Sequence, residues 1–97
     1  MNVKKLLKQA QQMQAKMERD LGETFVDGSS GGGMVIVRMN GHKHIESVKI
    51  DPEAIDPEDA GMLEDLIVAA FNDASNKIDE SLRDKMSGFP MPGMPGM

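Results

Sequence analysis

An apolar repeat with helical spacing runs through the second half of the chain. The residues that recur are Met62, Leu63, Leu66, Ile67, Ala70, Phe71, Ala74, Ile78 and Leu82. Because no helix breaker occurs before Gly88, the repeat predicts a helix of about 30 residues, roughly 45 Å long. A compact globule of this chain length has a radius of gyration of only about 12–13 Å. Such a helix must extend past its own subunit, and its apolar residues then favour a homodimer.

The segment before this helix predicts a three-stranded antiparallel meander. Strands are expected at residues 24–27, 34–39 and 44–50, with GSSGGG at 28–33 as a flexible hairpin loop. Asn40-Gly41 predicts a two-residue type I′ turn between the second and third strands. The middle strand is apolar on both faces except at Arg38, so we expect cover on both sides of the sheet. Asp56 is the expected N-cap of the second helix and Pro57 its first residue.

The first twenty residues predict a helix with two chemically different faces, capped by Asn2 and ending near Gly22. The apolar face carries Val3, Leu6, Leu7, Ala10, Met13, Met17 and Leu21. The opposite face, here called the basic stripe, carries Lys4, Lys5, Lys8, Lys16 and Arg19, with no acid among them. The whole chain has a net charge of −5, so the basic stripe is a local feature. It indicates a polyanion or an acidic protein surface as partner.

Other residue patterns give little support to catalysis or metal binding. His42 and His44 lack a third ligand, and the acids between residues 51 and 65 lack the spacing of an EF-hand loop. Ser29 and Ser30 have no evident base, and GSSGGG lacks the Lys-Ser/Thr of a P-loop. The chain has no cysteine and no apolar run long enough to span a membrane. We therefore predict a cytoplasmic protein that is not an enzyme and binds no metal, cofactor or membrane.

Four blocks in a fixed order resemble the YbaB/EbfC family of bacterial nucleoid-associated proteins. They are KQAQQMQAKME, GSSGGGMVIVRMNG, SVKIDPEAI and MLEDLIVAAFNDASNKI, and together they span nearly the whole chain before the tail. The resemblance implies an α+β fold, α-β-β-β-α, with a three-stranded antiparallel sheet and two terminal helices in a tweezer-like homodimer. It also implies DNA binding through the terminal helices. The matching positions are Lys4, Lys5, Lys8, Lys16 and Arg19, with Lys77, Arg83 and Lys85 as a weaker extension because acids intervene there.

These observations predict a dimerising DNA-binding domain at residues 1–87, followed by a disordered Gly/Pro/Met tail at 88–97. The expected function is that of a nucleoid-associated protein in the bacterial cytoplasm. It would bind duplex DNA as a homodimer with low sequence specificity and affect nucleoid organisation and gene expression. The alternative is a protein-interaction module that docks on acidic surfaces of recombination or replication proteins.

Overall fold

The order of helices and strands follows from the capping and periodicity signals of the sequence. A computed structural model describes residues 2–86. The elements are α1 (Val3–Gly22), β1 (Phe25–Ser30), β2 (Val35–Asn40), β3 (Ile45–Ile50), a short 3₁₀ turn (Pro52–Ala54) and α2 (Ala60–Met86). The α-β-β-β-α order and the α+β class predicted from the sequence are confirmed. The predicted tail at 88–97 lies outside the described residues, so the proposed domain boundary stays a prediction.

The three strands form an antiparallel sheet in the order β1-β2-β3, and α2 packs across one face of it. Val35, Val37 and Met39 of β2 are fully or almost fully buried against α2. Their neighbours on the other face differ, since Ile36 is half-buried and Arg38 is exposed. Within one protomer, therefore, α2 covers one face of the sheet over β1 and β2, whereas the sequence predicted cover on both faces.

Gly28 lies where α2 comes closest to the sheet. A Cβ atom at this position would overlap the backbone oxygen of Ala70 and the backbone nitrogen of Ala74. Glycine is therefore required here for close backbone approach. The prediction of a loop over residues 28–33 is wrong in its first half, because residues 28–30 belong to β1. Within this segment, the three glycines at residues 31–33 adopt positive φ angles, of 59°, 68° and 94°.

The connection between β2 and β3 is longer than the predicted two-residue type I′ turn. Asn40 N–H donates to the His44 carbonyl at 2.9 Å, and Lys43 N–H donates to the Asn40 carbonyl at 2.9 Å. The positive φ angle of 63° falls on Lys43 instead of Gly41. Gly41 is needed for a tertiary reason, since a Cβ there would lie 2.6 Å from the Leu21 carbonyl oxygen. We call residues 40–44 the β2–β3 loop.

The second helix begins at Ala60, three residues after the predicted start at Pro57. Asp56 caps a separate turn, because its Oδ1 accepts from Glu58 N–H at 2.9 Å. The side chain of Asp59 accepts from Met62 N–H at 3.2 Å and so caps α2 itself. Two successive Asp-capped turns thus replace the single cap that the sequence suggested.

The helix left uncovered by its own protomer is α1, not α2. Apolar contacts with the core extend along α2 from Leu63 to Leu82, whereas α1 contains no buried residue. The molecule is elongated, with extents of 68 × 32 × 16 Å and a radius of gyration of 19.0 Å. The prediction that α2 extends past its own subunit is wrong, because most of its apolar repeat packs on β1 and β2, and the projecting helix is α1.

Candidate nucleic-acid interface

The basic stripe of α1 is fully presented to solvent. Its members, Lys4, Lys5, Lys8, Lys16 and Arg19, are all exposed. Among the described residues, none of the five side chains forms an ion pair or a hydrogen bond. Their charges are therefore uncompensated by direct partners, and the stripe can contact several groups of an extended anion at once.

The first turn of α1 concentrates positive charge. The Asn2 side chain accepts from the N–H groups of Lys4 and Lys5, at 3.1 and 3.3 Å, so the helix begins as predicted. Acids are favoured in a first turn because they face the positive end of the helix dipole, but this turn contains two lysines and no acid. Each such lysine costs about 0.3–1 kcal/mol of helix stability. A cost of this kind is reasonable where the lysines serve a partner.

The opposite face of α1 is apolar and also exposed. Its large side chains up to Met17 range from 48% exposed at Leu6 to 69% exposed at Met13, with Val3, Leu7 and Met17 between these values, whereas Leu21 is half-buried. An isolated amphipathic helix with an exposed apolar stripe indicates a second contact surface, distinct from the basic one.

The bases of α2 have partly different surroundings from those of α1. Lys77 Nζ donates to the Asp27 carbonyl at 2.9 Å and pairs with Asp73 at 3.2 Å, so it joins α2 to β1. Lys85 Nζ donates to Thr24 Oγ1 at 3.3 Å, which places it beside the last turn of α1. Arg83 is exposed. Of these three residues, Lys77 has a clear structural role, and the DNA contacts predicted for all three stay predictions.

Asp73 links α2 to β1 by a hydrogen bond. Its Oδ2 accepts from Ser29 N–H at 2.9 Å. This backbone hydrogen bond, followed by the hydrogen bond and charge of Lys77, lowers the pKa of the Asp73 carboxyl below its ordinary value of 3.8. The carboxylate is therefore the form that the folded protein prefers.

Replacing Asp73 by asparagine tests this contact through its pH dependence. Because the folded pKa is depressed, the stabilisation is complete above the ordinary pKa of 3.8 and is lost as pH falls through the lower folded value. At pH 7 we expect Asp73→Asn to lower Tm by roughly 2–5 °C. The difference from wild type should narrow below about pH 4 in thermal melts followed by circular dichroism. Asp65→Asn, at an exposed position of α2, is the control, and a Tm difference independent of pH would contradict the assignment.

The described residues form an open groove but no cluster of metal ligands. An open groove of about 510 Å³ lies between β1 and the end of α2, where both Lys77 and Glu80 line it. The rings of His42 and His44 are 6.0 Å apart between centroids. Within residues 2–86, no group of three or more His, Cys, Asp or Glu side chains could hold a metal ion. Over the same residues, neither helix combines the length and apolar character needed to cross a membrane.

Sequence comparison assigns the chain to a family. The sequence profile of the YbaB/EbfC DNA-binding family matches residues 1–94. The chain belongs to the YbaB/EbfC DNA-binding family. This is a family of DNA-binding nucleoid-associated proteins and not an enzyme family.

Relatives agree with this assignment over nearly their full lengths. A nucleoid-associated protein of Chloroflexus aggregans is 44% identical over 89 residues, covering 89% of each chain. A nucleoid-associated protein of Rhodospirillum rubrum is 45% identical over 103 residues, covering 99% of this chain and 94% of the relative. The crystal structure of an uncharacterized protein from Helicobacter pylori superposes with a TM-score of 0.65 at 25% identity, covering 86% of this chain and 96% of that one.

Proposed function

We propose that this YbaB/EbfC family member binds duplex DNA as a homodimer with low sequence specificity and without catalytic activity. It would act at the nucleoid in the bacterial cytoplasm and affect nucleoid organisation and gene expression. The observation that carries the proposal is the basic stripe of α1, five exposed side chains with no partner in the described part of the protomer. The relatives named nucleoid-associated proteins support the location.

Phosphate contacts are the expected basis of binding. Four of the five bases in the basic stripe are lysines, which act as point charges on flexible stems. Lysine contacts to phosphate fix position and supply affinity, but they read no base directly. Binding by such contacts releases counterions and tolerates many sequences. Low sequence specificity follows from this choice of side chain.

Exposed apolar residues support the homodimer. Besides the apolar face of α1, the edge strand β3, which α2 does not cover, exposes Ile45 and Val48 by 47% and 43%. Apolar residues grouped in this way on a small domain indicate a protein–protein interface. A second copy of the chain would cover such surfaces on both subunits at once, as a two-fold symmetric interface does. The dimer would then carry the basic stripe twice.

Two measurements test the proposal. A salt-titrated mobility shift tests duplex binding, and a molar-mass measurement of the free protein tests the homodimer. We expect a mass of twice the 10.6 kDa of one chain. The logarithm of the affinity should fall against the logarithm of the salt concentration with a slope of about −4 or steeper. Random and defined duplexes should bind within about threefold of each other, because phosphates are shared by all sequences.

The mobility shift also distinguishes DNA binding from the alternative function, a protein-interaction module. A protein that shifts no duplex at low salt, but is retained by an acidic protein partner, would contradict DNA binding. It would instead favour a module that docks on recombination or replication proteins. A salt-independent affinity would contradict the phosphate-led mechanism.

A further inference from the structure

The β2–β3 loop holds the carboxyl end of α1. Gly41 N–H donates to the Leu21 carbonyl at 2.8 Å. The ring Nε2 of His42 lies 2.8 Å from the Glu18 carbonyl oxygen. A carbonyl oxygen can only accept, so Nε2 carries the hydrogen and donates it. Two carbonyls in the last turns of α1 are thus bound by adjacent residues of a loop that follows much later in the sequence.

These contacts are important for the orientation of α1 because none of its residues is buried in the core. Helices in a globular domain are normally oriented by an apolar face packed on the rest of the domain. In this protomer, α1 contains no buried residue, and only its last residues, Leu21 and Gly22, are half-buried. Thr24 adds one more contact, from its Oγ1 to the Asp20 carbonyl at 2.8 Å. Within one protomer, the direction of α1 therefore depends on contacts at its carboxyl end, and most of these contacts are hydrogen bonds.

The same loop also contacts α2. Lys43 Nζ pairs with Asp79 Oδ1 at 3.0 Å, one residue after the His42 contact to α1. The loop is held in shape by the Asn40 side chain, whose Oδ1 accepts from the N–H groups of His42 and His44 at 2.9 and 3.0 Å. A single loop of fixed geometry therefore connects both terminal helices.

We propose that the β2–β3 loop is the joint that sets the direction of α1 relative to α2, and that His42 is its main positioning residue. His42 acts through the Glu18 carbonyl and does not itself contact DNA. By fixing α1 in each subunit, it keeps the two basic stripes of the proposed homodimer in one relative orientation, so that both can contact phosphates of the same duplex. The effect on DNA affinity rests on the proposed function, whereas the effect on helix direction does not.

A distance measurement tests the joint directly. The chain has no cysteine, so Gln11→Cys on α1 and Asn76→Cys on α2 give two unique spin-label sites, both at exposed positions. Labelled protein is mixed with an excess of unlabelled protein, so that only distances within one protomer are recorded. We expect His42→Ala to broaden the distance distribution. His42→Gln should restore it, because a glutamine amide can also donate to the Glu18 carbonyl. His44→Ala is the matched control and should leave the distribution unchanged.

Duplex binding of the same unlabelled variants tests the consequence for function. His42→Ala should weaken DNA affinity about tenfold at constant salt, with His42→Gln close to wild type and an unchanged molar mass. A wild-type distance distribution in His42→Ala would overturn the proposal. A broadened distribution with unchanged DNA affinity would support the joint and overturn its proposed consequence for DNA binding. If the wild-type protein binds no DNA, the proposed function fails, and the distance measurement still decides whether His42 sets the direction of α1.

Discussion

Replacing Lys4, Lys5 and Lys8 together by glutamate is expected to abolish the mobility shift of random duplex DNA, with affinity falling by at least about 100-fold near physiological salt. Each replacement removes a phosphate contact and introduces a repelling charge. The three residues lie in the first two turns of α1, where their side chains are exposed and form no ion pair or hydrogen bond among the described residues. The remaining binding should also depend less on salt, because fewer counterions are released.

The triple variant should remain folded, which makes its DNA result interpretable. Glutamates at positions 4 and 5 face the positive end of the helix dipole, so α1 should become slightly more stable. Circular dichroism and molar mass should match the wild type. For a comparison at equal charge change, Lys8→Glu is set against Lys49→Glu, an exposed lysine of β3 outside the stripe. Equal losses in these two single variants, or unchanged binding in the triple variant, would contradict the assignment of the interface to α1.

Gly28→Ala is expected to have the largest effect on stability. A methyl group at this position overlaps backbone atoms of Ala70 and Ala74, and backbone atoms cannot rotate away as a side chain can. The helix must separate from the sheet, which loosens the contacts of the core. We expect a loss of about 3 kcal/mol or more in the free energy of unfolding, and a fall in Tm of about 12 °C or more.

The control for this variant is Gly61→Ala in the first turn of α2. The nearest atom to a Cβ at Gly61 is an Asp59 side-chain oxygen 4.0 Å away, so the substitution meets no backbone. Alanine also has the higher helix propensity, and Gly61→Ala should leave Tm unchanged or raise it slightly. Thermal melts of both variants measure the difference. A Gly28→Ala protein as stable as the control would show that the helix and sheet can separate at little cost.

The order of helices and strands could be predicted because it depends on local signals. Asn2 caps α1 as expected, and the apolar repeat of α2 identifies the face that meets the core. The predictions for the two glycine-containing turns are wrong where a glycine is required by a contact with a distant part of the chain. Gly28 reads as a flexible loop residue in the sequence, yet it is glycine because α2, more than forty residues later, approaches it. Gly41 reads as a turn signal but is small because Leu21 lies against it.

In the candidate site, too, features that depend on local sequence could be predicted and features that depend on tertiary contacts could not. The basic stripe of α1 could be found from periodicity and charge alone, since all five of its members share one helix face. The role of His42 could not be found in this way, because its hydrogen bond to Glu18 spans 24 residues of sequence. A histidine near a turn has no local pattern that distinguishes it from a solvent-exposed residue. The sequence groups Lys77 with the DNA-binding bases and gives no sign of its contact with the Asp27 carbonyl, because that contact forms only when α2 lies on β1.

The complete exposure of the basic stripe has a consequence for how this protein can evolve. In many proteins, changes that improve function reduce stability, because functional residues also belong to the packed structure. Here the side chains of the five bases form no ion pair or hydrogen bond among the described residues, whereas the fold depends on the core between α2 and the sheet. Apart from the small helix-dipole effect at Lys4 and Lys5, substitutions along the basic stripe can therefore change the affinity for an anionic partner while the core keeps its packing. Selection can therefore change the proposed binding affinity of α1 one residue at a time while the core between α2 and the sheet stays the same.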